Sequence, residues 1–207
     1  MQGSGHCAGY VNACGTTAAR QAVAAFHSSD RGIQSVQAAS VIIANGCSGA
    51  LELALTALLD DDSILLVPQP GFPLYQVICE SHGAAVVPYR LKPDQEWECD
   101  LEHIHELCVQ HGRAVRGILV NNPSNPTGSV FSVEHLQDLV DVCQRHHLPV
   151  VADEIYGDLT FGKTNFTPLA EVAAACGSHV PVITASGIGK QYLLPGWRVG
   201  WIVFQDK

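Results

Sequence analysis

The sequence predicts an α/β fold: a mostly parallel, open sheet of about seven strands with helices on both faces. Short apolar runs alternate with helical patterns from residue 41 onward, which is typical of such a sheet. The runs are continuously apolar, as expected for strands that are buried on both faces. With 207 residues, 47% of them hydrophobic and 15% charged, the chain can bury a substantial core.

Seven runs rich in β-branched residues are the strand candidates: 41–45, 63–67, 84–89, 117–121, 148–153, 181–186 and 198–204. Helical patterns lie between them, at 48–59, about 72–82, 100–111 and 132–147. Ser132 is the expected N-cap of the last of these helices. Residues 1–40 predict a loop and one helix, at about 16–27. We therefore expect a lead-in over 1–40 and a ligand-binding domain over 41–207.

Composition and charge exclude several classes of protein. The net charge of −9 argues against a nucleic-acid surface, and no apolar stretch is long enough to span a membrane. The eight cysteines are scattered and form no C-x-x-C pair, and the first residues lack the pattern of a signal peptide. We expect reduced thiols, no metal site and a cytoplasmic location, with a mitochondrial one as the alternative. The cluster CQRHH at 143–147 is interpreted as a solvated helix end.

Five polar or glycine-rich loops follow predicted strands. They contain NGCSGA, PQPGFPLY, NNPSNPTG, DEIY and SGIGK, after the first, second, fourth, fifth and sixth strands. In open α/β sheets, ligands bind beyond the carboxyl ends of the strands. The loops therefore predict a binding site at this edge of the sheet.

Two of these loops suit particular ligand groups. The glycine turn at Gly46 and Ser48 enters a helix, whose free N–H groups favour an anion, although ordinary N-capping explains the same residues. The loop NNPSNPTG contains two X-Pro bonds, which favour an extended backbone and would hold the amide of Asn125 in one place. A simple Asn- and Pro-rich turn is the alternative.

Charged residues complete the candidate site. Asp153 ends a buried strand, where a carboxylate is costly unless a cation pairs with it, and Tyr156 follows three residues later. The alternative for Asp153 is a helix N-cap. Lys190 and Arg198 flank the apolar segment LLPGW: an amine in an apolar pocket can attack a carbonyl, and a guanidinium suits phosphate. Two solvated charges near a turn are the alternative.

Taken together, these groups describe a site for pyridoxal 5'-phosphate, with an amine for its aldehyde and a carboxylate for its ring nitrogen. The motifs NNPSNPTG, DEIYGDLTF and SGIGKQYLLPGWRVGW resemble those of the class I aminotransferases of fold type I. Within that family the resemblance is strongest to the branch that contains the tyrosine, alanine and aromatic aminotransferases. It extends from about Gly9 to the end of the sequence.

The resemblance implies a role for each residue that would surround the cofactor ring. Lys190 would form the Schiff base and move the substrate's α-proton, and Asp153 would keep the pyridine nitrogen protonated. Asn125 and Tyr156 would hydrogen-bond the phenolic oxygen. Phe72 would stack on the ring, with Tyr75 nearby.

The resemblance also implies a phosphate site and a homodimer. The turn at Gly46, the backbone N–H of Cys47, the Ser48 hydroxyl and Arg198 would bind the phosphate. Tyr10 would reach the phosphate of a neighbouring subunit. The substrates would be an amino acid and a 2-oxo acid.

Some features depart from the family pattern. Gly187 stands where many relatives carry a phosphate-binding serine, and Thr127 stands where many tyrosine aminotransferases carry cysteine. The family's arginine for the substrate carboxylate lies in a C-terminal small domain, which we expect to be absent from this chain.

The expected function is therefore transamination of an aromatic, tyrosine-like amino acid, with this chain a fragment or truncated form of the enzyme. The alternatives are another enzyme of the same fold, either a carbon–sulfur lyase or a relative of aminocyclopropane carboxylate synthase, and a non-catalytic fragment that binds pyridoxal phosphate.

Overall fold

The computed structural model describes residues 9–29 and 36–205. Its strands are β1 (Val41–Asn45), β2 (Ile64–Gln69), β3 (Ala85–Lys92), β4 (Glu98–Cys99), β5 (Val115–Asn121), β6 (Val150–Asp153), β7 (Val182–Gly187) and β8 (Val199–Gln205). Its helices are α1 (Thr17–Ser29), α2 (Gly46–Leu58), α3 (Leu74–Ser81), α4 (Leu101–His111), α5 (Val133–His146), α6 (Leu169–Ala175) and α7 (Ile188–Gln191).

The strands form one sheet in the order β1-β8-β7-β6-β5-β2-β3-β4. The pairs from β7 through β6, β5 and β2 to β3 are parallel, whereas β8 is antiparallel to both of its neighbours and β4 is antiparallel to β3. The predicted α/β class and mostly parallel sheet are confirmed. The sequence did not predict β4, because two residues are too short a run to show a periodic pattern.

Helices cover both faces of the sheet. Helices α2 and α3 pack on one face, over a buried cluster that includes Leu65, Leu119 and Val151. Helices α4, α5 and α6 pack on the other face, over Ile118 and Val150. Because helices cover both faces, the central strands are apolar at consecutive positions. The sequence did not predict the short helices α6 and α7.

Helix α1 packs on the end of the sheet formed by β1 and β8. Its Val23 and Ala24 join Val41, Trp201 and Val203 in a separate buried cluster. The division of the chain at residue 40 stays a prediction.

Helix termini differ in how their first N–H groups are satisfied. Ser132 caps α5, as predicted, by accepting a hydrogen bond from His135 N at 3.2 Å. By contrast, α2 has no side-chain cap, and Asn45 precedes it without such a bond. The first N–H groups of an α-helix have no partner within the helix, so the start of α2 offers donors to a ligand.

The reversed direction of β8 brings its first residues to the carboxyl edge of the parallel strands. Val199 pairs with Asn45, and Gly200 pairs with Gly187 at the end of β7. Arg198, immediately before β8, therefore lies beside the start of α2. None of the helices in residues 9–29 and 36–205 is long and apolar enough to cross a membrane.

We expect Gly200→Ala to destabilise the fold at this point. A β-carbon at position 200 would meet the Gly46 carbonyl carbon, at 2.5 Å from its oxygen and 2.6 Å from Cys47 N. Backbone atoms cannot rotate away, so β8 and α2 would separate, at a cost on the order of 2 kcal/mol. Denaturant unfolding measures the change.

Gly196→Ala is the matched control, because a β-carbon at position 196 has no atom within 4 Å and the backbone there is not left-handed. Equal stability of the two variants would show that close contact between β8 and α2 is not required.

Candidate active site

A cavity of about 310 Å³ lies at the carboxyl edge of the sheet. Nine of the ten residues predicted from the sequence line it: Gly46, Cys47, Ser48, Phe72, Asn125, Asp153, Tyr156, Lys190 and Arg198. They come from the carboxyl ends of five strands that run in the same direction, β1, β2, β5, β6 and β7, and from the segment before β8. The parallel register explains this convergence, because the ends of neighbouring strands meet at one edge.

The carboxylate of Asp153 is buried, with 3% of the residue exposed. Tyr75 Oη donates a hydrogen bond to its Oδ2 at 2.8 Å. Its Oδ1 accepts from Ile155 N at 3.3 Å and from Cys47 Sγ at 3.6 Å. Both carboxylate oxygens therefore have donors, but each of these donors is neutral.

No cation of the described ranges forms an ion pair with Asp153; the ion pairs found there involve Asp100 and Glu98. Burial raises the pKa of the Asp153 carboxyl, while the bonds from Tyr75, Ile155 N and Cys47 lower it. Burial has the larger effect. The carboxylate is thus prepared for a cationic or strongly donating ligand.

The Tyr75 phenol and the Cys47 thiol beside Asp153 stay protonated. Burial, followed by the charge of Asp153, raises the pKa of Tyr75. Burial and Asp153 likewise raise the pKa of the Cys47 thiol. Phenol and thiol therefore act as donors, and the negative charge stays on Asp153.

A second part of the cavity is suited to an anion. Arg198 Nη2 donates to Asn45 O at 3.3 Å, which holds the guanidinium against the start of α2. Gly46 has a φ of 71°, and a β-carbon there would lie 2.7 Å from Arg198 Nη2. The glycine is therefore needed for both the turn and the arginine. Ser48 is exposed in the first turn of the helix.

Asparagine side chains hold the loop after β5. Asn121 Oδ1 accepts from Asn125 N at 2.7 Å, and Asn121 Nδ2 donates to Asp153 O at 3.1 Å. Asn121 pairs with Asp153 in the sheet register. One buried amide therefore fixes both the Asn125 loop and the end of β6.

The aromatic residues lie on two sides of the cavity. Phe72 is 39% exposed, and its ring contacts Tyr75 edge to face, with centroids 5.8 Å apart. Lys190 Nζ lies 5.5 Å from the centroid of the Tyr156 ring.

The prediction that Lys190 is enclosed by apolar residues is wrong. Its side chain is exposed, and so are those of Leu193 at 78% and Trp197 at 69%. Leu194 is half-buried and lines the cavity, just before the 3₁₀ helix at Pro195–Trp197.

Tyr10 is the one predicted site residue that does not line the cavity. Its side chain is fully exposed near the start of the described residues. That it reaches the cofactor of a second subunit stays a prediction.

Gly187, which departs from the family pattern, has a structural reason. A β-carbon at position 187 would lie 2.8 Å from Val199 O and 3.0 Å from Gly200 Cα. The pairing of β7 with β8 therefore leaves no room for a serine at this position.

Sequence reasoning missed the hydrogen bonds that the Tyr75 hydroxyl and the Cys47 thiol donate to Asp153. It also missed the two hydrogen bonds by which Asn121 holds Asn125 and the end of β6. Tyr75 follows Phe72 by three residues on a helical pattern, which places the two side chains on one face. That spacing was the available signal.

The arrangement fits pyridoxal phosphate, the cofactor that the resemblance implies. The free N–H groups of α2 and Arg198 suit its phosphate. The buried anion of Asp153 suits its ring nitrogen, and the Lys190 amine suits its aldehyde. Phe72, Asn125 and Tyr156 line the same cavity.

Comparison with known proteins agrees with this geometry. The sequence matches the family described as aminotransferase class I and II over residues 2–207. The chain belongs to that family. It is 41% identical over 204 residues to the tyrosine aminotransferase of Bos taurus. This match covers 99% of this chain and 44% of the relative. It is 32% identical over 197 residues to an S-alkyl-thiohydroximate lyase of Arabidopsis thaliana. This match covers 95% of this chain and 41% of the lyase.

A solved structure has the same fold. The crystal structure of tyrosine aminotransferase from Leishmania infantum superposes with a TM-score of 0.87 at 34% identity, over 98% of this chain and 54% of that one. This chain thus spans about half the length of the relatives it matches.

We expect Asp153→Asn to stabilise the cofactor-free chain at neutral pH, by on the order of 1 kcal/mol. Burial raises the pKa of Asp153, so ionisation penalises the folded state above that pKa. As the pH falls through the folded pKa toward the unfolded value, the carboxyl becomes protonated and the penalty disappears. Urea unfolding of both proteins between about pH 4 and about pH 8 measures the difference.

Asp141→Asn, which changes an exposed carboxylate on α5, is the control. A stability difference between Asp153→Asn and wild type that did not shrink on acidification would contradict the assigned cause.

Proposed function

We propose that this chain binds pyridoxal phosphate and forms the cofactor-binding part of an enzyme that transfers the amino group of an aromatic amino acid to a 2-oxo acid. The observation that carries the proposal is the buried Asp153 carboxylate. It has neutral donors on both oxygens and lies in the same cavity as an uncapped helix N-terminus, an arginine and a lysine.

Each end of the cavity would hold one part of the cofactor. At one end, Arg198, Ser48 and the first N–H groups of α2 would bind the phosphate. At Asp153, the carboxylate would accept a hydrogen bond from the protonated ring nitrogen and gain the positive partner that burial makes favourable. Bound pyridoxal phosphate supplies an aldehyde that reacts with amines and a ring that accepts electrons.

Residues on the sides of the cavity would orient the ring. Phe72 would pack on its face, and Tyr75 supports Phe72 by an edge-to-face contact. Asn125 and Tyr156 would donate hydrogen bonds to the ring's phenolic oxygen. Asn121 keeps Asn125 in place through its backbone.

Lys190 would be the catalytic amine. Its exposed position at the cavity gives Nζ room to move between holding the cofactor and taking the proton from the substrate's Cα. Its position on the one-turn helix α7, directly after β7, ties the start of its side chain to the sheet.

The tyrosine aminotransferases among the relatives support aromatic amino acids as the substrate class. A second candidate is cleavage of a carbon–sulfur bond, because the chain is also similar to an S-alkyl-thiohydroximate lyase. Both reactions would use the same lysine and aspartate. Release of a free thiol from an S-alkyl-thiohydroximate distinguishes the lyase from the transferase, which passes the amino group to a 2-oxo acid and breaks no carbon–sulfur bond.

We expect borohydride to trap a covalent adduct between pyridoxal phosphate and Lys190 in wild-type protein. Peptide mapping locates the label. Lys190→Ala should lose the label and the associated visible absorbance, because Lys190 is the only lysine among the described residues that line the cavity. Lys163→Ala, which removes an exposed lysine elsewhere, is the control and should label normally. A label on Lys92 or Lys163 of the wild-type protein would overturn the proposal.

We expect this chain by itself to convert L-tyrosine poorly, at least about a hundredfold below a full-length tyrosine aminotransferase. The described lining holds only two Lys or Arg side chains, Lys190 and Arg198, and both would be occupied by the cofactor. The substrate carboxylate would therefore have no cation to orient it. Stopped-flow spectra of the cofactor-loaded chain with excess L-tyrosine measure the rate, and conversion as fast as in the full-length relative would contradict this reasoning.

A further inference from the structure

Cys47 belongs to two regions of the cavity, through its backbone in the first turn of α2 and through its side chain at Asp153. It lies in the first turn of α2, where its backbone N–H has no partner within the helix. Its Sγ lies 3.6 Å from Asp153 Oδ1. This contact links residues that are 106 positions apart in the sequence.

The Asp153 carboxylate depends on this thiol for one of its oxygens. Oδ2 has the short bond from the Tyr75 phenol, at 2.8 Å. Oδ1 has only the Ile155 N–H, at 3.3 Å, and the thiol. Without Cys47, Oδ1 would keep one long bond, and the carboxylate could rotate about its terminal torsion.

The proton of this contact stays on sulfur. Burial, and then the charge of Asp153, raise the pKa of the Cys47 thiol well above its ordinary value. The other titratable or charged groups on the cavity lining are Tyr75, Tyr156, Lys190 and Arg198. A neutral thiol beside an ionised carboxylate donates a hydrogen bond, although a weak one.

We propose that Cys47 is a positioning residue: its thiol fixes the Asp153 carboxylate to the same helix turn that would bind the phosphate. The thiol then adds a direct link between the phosphate site and the ring-nitrogen site to the constraints that the sheet imposes. This inference rests on the proposed function for its meaning, but the contact itself is testable without the cofactor.

Thiol alkylation in cofactor-free protein tests the contact. Asp153→Asn removes the negative charge beside Cys47, so a larger fraction of the thiol ionises at a given pH. We expect iodoacetamide labelling of Cys47, mapped by mass spectrometry near pH 8.5, to become about tenfold faster, which is the change in thiolate fraction for one pKa unit.

Two other cysteines provide the controls. The exposed Cys176 should label at the same rate in both proteins, and the buried Cys143 should stay unlabelled in both. Unchanged labelling of Cys47, with both controls as expected, would overturn the proposal. Labelling of Cys143 would show that Asp153→Asn has unfolded the protein, and the comparison of Cys47 variants then decides.

That comparison uses Cys47→Ser and Cys47→Ala in the cofactor-binding assay. Both variants shorten the side chain, but only serine retains a donor. We expect alanine to raise the dissociation constant for pyridoxal phosphate about tenfold and serine to restore it to within about threefold of wild type. If Cys47 only filled space, the serine and alanine variants would have equal dissociation constants for pyridoxal phosphate. That result would overturn the proposal.

The two arms separate failure of this inference from failure of the proposed function. If wild-type protein does not bind pyridoxal phosphate, the proposed function fails, while the labelling experiment still reports on the contact. If wild type binds the cofactor and serine behaves as alanine does, the proposed function stands and the positioning role is wrong.

Discussion

The arrangement of the candidate site depends on one buried negative charge. Asp153 ends β6 in the middle of the sheet, where desolvating a carboxylate is unfavourable. A phenol, a thiol and a backbone N–H surround it, but they bring no positive charge. The protein therefore carries an electrostatic cost that a cationic ligand group can offset. Such a cost marks a binding site more clearly than the shape of the cavity does.

The sheet places the other groups around this charge. Parallel neighbours bring Asn121 beside Asp153 and the loop of Asn125 above it. The reversed β8 returns Arg198 to the same edge. The small residues at this junction are required by backbone contact, since β-carbons at Gly187 and Gly200 would meet neighbouring main-chain atoms. Close backbone contact and ligand binding thus constrain residues at the same junction.

Much of this arrangement could be predicted from the sequence, and the reasons are local. Continuous apolar runs identify the buried strands, and residues at strand ends follow from the direction of a parallel sheet, which is why Asp153, Asn125 and Lys190 could be chosen in advance. The exposure of Lys190 could not be predicted, because the apolar segment after it turns outward in a way that composition does not reveal. The Cys47 contact depends on the distance between α2 and β6, which is a tertiary quantity.

The sheet order also has a consequence for how the protein is made. In the described part of the chain, β1 has a single neighbour, β8. The contact between Asn45 and Arg198 at that junction spans 153 positions of sequence. During synthesis on a ribosome, β1 therefore cannot pair with β8, nor can the start of α2 contact Arg198, until nearly all of the described residues have been made. Until then β1 is an unpaired apolar strand, the kind of segment that invites intermolecular association or chaperone binding.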